Sequence, residues 1–150
     1  AEREISRDTL LGLDGKRRVA GRKPLIDDQN CRIDGGVTIQ TGEYVALRRC
    51  IVTGNASVSG IHTDVSLNTI VAGTLDVSCE GLGNVIGNLV VGPASIGIHA
   101  GSEVTVTRNV VRNCVDGILF RSLDGVSATE NLVEDCSGSG IAVRVLGGAG

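Results

Sequence analysis

Hydrophobic residues along the second half of the chain alternate with polar ones, and the alternation is broken at fixed marks. From Gly97 the chain reads GIHAGSEVTVTRNVVRNCVD and from Gly117 it reads GILFRSLDGVSATENLVEDCSGS, with a third start, GIAVRV, at Gly140. Each full copy has a Gly-Ile pair, a short alternating run, a second alternating run, then Asn, apolar residues and Cys. Asn109 matches Asn131, Val111 matches Val133 and Cys114 matches Cys136. Period-two alternation predicts strands. A unit this short cannot bury its own apolar side, so copies must stack.

The anchor can be followed backward through Asn131, Asn109, Asn88 and Asn68, then Cys50 in the same slot, then Asn30. Strand starts are assigned to Val37, Ile61, Leu75, Ile98, Ile118 and Ile141. These spacings predict an all-β, right-handed, single-stranded parallel β-helix with about six coils of about 21 residues. The repeat occupies residues 25–150. Residues 1–24 lack it and read as an N-terminal cap or leader, with a short helix after Ser6 that uses Ile5, Leu10 and Leu13. Nothing follows Val145 but LGGAG, so the C-terminal end is expected to be uncovered or truncated. The Asn column is expected at a bend, where an amide tolerates left-handed backbone and can bond from layer to layer.

Composition agrees with a repetitive β core. Tyr44 and Phe120 are the only aromatic residues, and Trp and Met are absent, so Val, Ile, Leu, Ala and Cys must fill the interior. There are 22 glycines for turns. A net charge of −3 argues against a nucleic-acid partner, and the basic run Lys16, Arg17, Arg18, Arg22, Lys23 reads as a solvated segment. No apolar run is long enough for a membrane span. The five cysteines lack metal-type spacing and read as small buried hydrophobes, with a Cys114–Cys136 bridge disfavoured. Gly81–Gly87 reads as turns rather than a phosphate loop, and Asn55-Ala56-Ser57 fits a glycosylation acceptor.

The motif N-[LV]-V-x-[ND]-C followed by Gly-Ile, with VTVT before it, resembles the repeat of right-handed parallel β-helix proteins of the pectate-lyase-like superfamily. The resemblance covers residues 30–145. It implies a secreted or cell-surface module that binds or processes polysaccharide along an outward strand face. The signature strings of polygalacturonases and of calcium pectate lyases are missing.

With the assigned starts inward, the next residues face out. That outward ladder reads Thr38, His62, Asp76, His99, Leu119, Ala142. Two residues on it reads Gln40, Asp64, Ser78, Gly101, Arg121, Arg144. His62, Asp76, His99 and Arg121 are therefore the candidate catalytic set: a histidine base with its pKa raised by Asp76, and an arginine to neutralise a uronate. Asp64, Arg144, Gln40 and Tyr44 are the candidate substrate-binding residues. An Asp64–Asp76 pair would suit hydrolysis instead. No resident cofactor is implied, although His62, Asp76 and His99 form a face that a divalent cation such as calcium can take. The competing reading is a non-catalytic, self-associating surface, spike or stalk module whose outward polar ladder is simply solvated. An ice-binding surface would need a longer Thr ladder than Thr105 and Thr107 provide.

Overall fold

The computed structural model describes residues 3–4, 31–40 and 44–144, and the proposed cap helix and Asn30 lie outside them. The described chain is all strand and turn. In chain order the strands are β1 (Arg3–Glu4), β2 (Cys31–Ile33), β3 (Val37–Gln40), β4 (Tyr44–Arg48), β5 (Ile51–Val52), β6 (Ala56–Ser66) and β7 (Thr69–Val71). They continue as β8 (Leu75–Ile86), β9 (Leu89–Ala100), β10 (Val104–Thr107), β11 (Val110–Phe120), β12 (Ser127–Thr129), β13 (Leu132–Glu134) and β14 (Ile141–Val143).

Every recorded pairing is parallel and joins a strand to the next turn of the chain, which makes a parallel β-solenoid of about five turns. Three faces result. The first stacks β3, residues 56–60, residues 75–79, residues 98–100, residues 118–120 and β14. The second stacks β4, residues 62–66, residues 82–86, β10 and β12. The third stacks β2, β5, β7, residues 89–91, residues 110–112 and β13. The predicted winding is therefore present, with coils of varying length: Ile51, Thr69, Leu89, Val110 and Leu132 share one column.

Like stacks on like inside. Val37, Ala56, Leu75, Ile98 and Ile118 form one buried column, and Ile33, Val52, Ile70 and Val90 form another. Each fully buried Val, Ile or Leu contributes about 1.5–3 kcal/mol from apolar area removed from water. The first column corrects the sequence reading at one coil. Ala56, not Ile61, fills the inward slot, because alternation runs from Ala56 through Val58 to Gly60, and Ile61 falls at the corner between two faces. The Gly-Ile cue shifted that coil by five residues.

The Asn corner lies between the second and third faces. Asn68, Asn88 and Asn109 are each 1% exposed. Each amide oxygen accepts the backbone N–H of the preceding anchor: Cys50 to Asn68, Asn68 to Asn88, Asn88 to Asn109 and Asn109 to Asn131, all at 2.8–2.9 Å. Each Nδ2 also donates to a carbonyl one strand back, namely Leu47, Val65, Val85 and Val106. The left-handed residue is not the Asn but the one before it: Arg49, Leu67, Gly87, Arg108 and Glu130 all have φ between 54° and 68°. The corner thus separates two tasks, with the preceding residue making the bend and the Asn satisfying the buried groups that the bend exposes.

A glycine column marks the turn into the first face. A Cβ at Gly54 would sit 2.9 Å from the Gly35 carbonyl oxygen, and one at Gly73 would strike the Gly54 carbonyl group. These obstacles are backbone and cannot swing aside. Gly73→Ala is expected to destabilise the fold by about 2–4 kcal/mol. Gly140→Ala, with nothing within 4 Å of the added Cβ, should leave the thermal midpoint little changed. Equal midpoints for the two variants would remove the close-approach argument.

Candidate functional site

The outward ladder of the first face, read from observed register, is Thr38, Ser57, Asp76, His99, Leu119 and Ala142. Asp76 and His99 are neighbours on adjacent layers, as the sequence predicted. His62 is not among them. It belongs to the second face, in a column with Tyr44 and Leu82, because the five-residue shift at Ala56 puts Ser57 in its place. Its ring centroid lies 6.5 Å from that of Tyr44.

Asp64 moves for the same reason. It sits on the second face and binds Arg48 at 2.8 Å, so it forms no carboxylate pair with Asp76. Tyr44 likewise lies off the first face. Gln40 remains on it, exposed, in a column with Ser59 and Ser78. Arg144 follows Val143 of β14, and its guanidinium lies 3.9 Å from the Asp116 carboxylate rather than beside Asp76. The trio His62–Asp76–His99 therefore does not assemble. Among the described residues no group of three or more His, Cys, Asp or Glu side chains is gathered as for a metal.

What does assemble is Asp76, His99 and Arg121. The Arg121 backbone N–H bonds to the Ala100 carbonyl, which fixes the start of the side chain one layer beyond His99. From there the guanidinium reaches back two layers, and Nη2 donates to Asp76 Oδ1 at 2.9 Å. Gly101 lies on the intervening layer, and a Cβ there would be 3.7 Å from Nη2. The absence of a longer side chain at Gly101 clears the route. On the other carboxylate oxygen, Asp76 Oδ2 stands 4.0 Å from His99 Nδ1. All three side chains are partly exposed, at 37% for Asp76, 20% for His99 and 33% for Arg121.

Electrostatics reverse one expectation. His99 is pushed below the ordinary value of 6.5, first by desolvation and then by the Arg121 charge, and the opposing pull of Asp76 is smaller. Burial and the Arg121 charge together outweigh the nearby carboxylate and favour the neutral imidazole. A neutral imidazole can accept a proton. Arg121 keeps donors beyond the Nη2 that holds Asp76, and these can meet an incoming carboxylate.

The hollow in front of Asp76 and His99 has a volume of about 380 Å³ and is lined also by Asn55, Ser57 and Thr74. Asn55 and Thr74 come from turns, and their geometry is set locally: Asn55 Oδ1 accepts the Thr74 N–H at 2.8 Å, and Thr74 Oγ1 donates to the Ile96 carbonyl at 2.6 Å. Sequence reasoning missed Ser57 and both turn residues. The spacing of 14 between Ile61 and Leu75, shorter than any other coil, was the available signal for the misassigned layer.

Four cysteines belong to the packing: Cys50 and Cys114 are buried in the core, Cys79 and Cys136 pack against it, and burial raises the pKa of Cys79 and Cys114. Each of Cys50, Cys114 and Cys136 donates its S–H to the carbonyl two residues back. Comparisons with protein-family models, with curated proteins and with solved structures gave no match to this chain.

Proposed function

We propose that the solenoid binds an acidic polysaccharide along its first face and acts on it by proton transfer, as a lyase or an epimerase does. The observation that carries this reading is the Asp76–His99–Arg121 cluster: a neutral imidazole next to a guanidinium, at the mouth of an open hollow. Removing a proton next to a uronate carboxyl group builds negative charge on that group. The step needs a base for the proton and a cation for the charge. His99 is the base in this scheme, Arg121 the cation, and Asp76 the group that holds Arg121 beside the hollow. The likeness of the repeat to the pectate-lyase-like superfamily supports the same reading, with a secreted or cell-surface setting. His62, Asp64 and Tyr44 have no part in it.

The test is incubation of the full chain with polygalacturonate, alginate and glucuronan, each with calcium and with chelator. Ultraviolet absorbance detects an unsaturated product, and proton exchange with deuterated solvent detects epimerisation. Turnover or exchange on at least one uronan is expected. Neither binding nor turnover on any of them would leave the face a solvated scaffold.

A further inference from the structure

The hollow before Asp76 and His99 does not end there. A second hollow, of about 220 Å³, adjoins it toward the first coil and is lined by Thr38, Asn55 and Ser57 among others. The two share Asn55 and Ser57, so together they form one trough that runs across four coils. Its lining is lopsided. Hydroxyl and amide groups from Thr38, Ser57 and Asn55 line the end toward the first coil, Thr74 borders the hollow at Asp76, and among the described residues Asp76 is the only Asp, Glu, Lys or Arg side chain that borders either hollow. Arg121 stands beyond, on the far side of Asp76 and His99.

That order constrains the ligand. A uronate seated over Ser57 would bring its carboxylate within a layer of Asp76, with no cation among the described residues lining that end to offset the repulsion. A neutral sugar there meets hydroxyl and amide partners without that repulsion. Asn55 already uses its amide oxygen on Thr74, which leaves Nδ2 as the donor end, and Ser57 and Thr38 supply hydroxyls that donate or accept. An acidic sugar fits one or two layers further on, where Arg121 can take its carboxylate.

We infer that the trough selects a heteropolysaccharide in which a neutral sugar adjoins a uronic one, with the neutral sugar over Ser57 and the uronate at Arg121, in preference to an unbroken polyuronate. This rests on the acidic-polysaccharide reading and narrows it to a substrate class. The test is titration calorimetry of the full chain with three sets of oligosaccharides. These are neutral cello- and xylo-oligosaccharides, oligogalacturonides, and oligosaccharides that alternate uronate with a neutral hexosamine or hexose.

An alternating oligosaccharide should bind roughly tenfold more tightly than an oligogalacturonide of equal length, the difference one unfavourable carboxylate contact makes. Ser57→Lys, a change on the half-exposed outward face, should raise oligogalacturonide affinity and erase that preference. Tighter binding of the oligogalacturonide by the unmodified chain overturns the inference but leaves the acidic-polysaccharide reading standing. Binding of the neutral set alone, or of none, overturns both.

Discussion

Asn88→Ala is expected to destabilise the solenoid by about 3–4 kcal/mol, a loss that Asn109→Ala, with an equivalent set of partners, should match. The reason is the number of partners that depend on one amide. Asn88 Nδ2 donates to the Val65 carbonyl at 2.9 Å and to Asn109 Oδ1 at 3.0 Å. Asn88 Oδ1 accepts both the backbone N–H and the Nδ2 of Asn68, at 2.9 and 3.0 Å. Truncation therefore strips two donors on Asn68, itself 1% exposed, where water cannot replace the lost acceptor. Each buried polar group left unpaired costs about 1–3 kcal/mol, and the small cavity adds to that. Asn131→Ala is the comparison: its side chain belongs to the last anchor and is only partly buried, so water can reach the partners it leaves, and a smaller loss is expected. Urea unfolding followed by circular dichroism reads both, and amide exchange at Asn68 should quicken in Asn88→Ala. Losses below about 1 kcal/mol for Asn88→Ala would mean that the ladder decorates the corner rather than holding it.

The ladder also explains why the fold was legible from sequence. A column in which every member bonds to the next tolerates no change of register, so the anchors Asn68, Asn88, Asn109 and Asn131 fall in observed register where spacing placed them. The apolar columns were legible for the same reason, because stacked inward slots repeat residue type. Legibility failed where the repeat allows variation. The inward column tolerates a small residue between larger ones, so Ala56 between Val37 and Leu75 carries no strong signal, and the nearby Gly60-Ile61 pair took its place in the reading. Turn lengths vary, so Asn55 and Thr74 could not be placed against Asp76 from spacing alone. Arg121 reaches across layers by the length of its side chain, and strand register alone does not encode such a diagonal contact. The left-handed residue was misplaced by one position because amide chemistry suggested Asn. The structure gives that backbone to whatever precedes it, Leu67 included.

His99→Gln is expected to reduce turnover by a factor on the order of 10²–10⁴, the usual contribution of a positioned general base, with little change in fold, since His99 is outward and partly exposed. Binding of the oligosaccharide should survive, because glutamine keeps polar contact and Arg121 remains. The pH profile gives a readout that a merely structural role would not move. The folded pKa of His99 lies below 6.5, so the active neutral form persists into mildly acidic solution and the acid limb of the profile falls below that value. The stability linkage has the same sign: what the neutral imidazole contributes is present above 6.5 and is lost as pH falls through the lowered folded value. Arg121→Gln removes a like charge that lowers the pKa and leaves Asp76, which raises it, so the His99 titration followed by NMR should move to higher pH. Asp76→Asn removes the raising influence, so the titration should move to lower pH. The two shifts must have opposite signs if the three groups act as one electrostatic unit; identical or absent shifts would separate His99 from its neighbours, and activity that survives His99→Gln would remove it as the base.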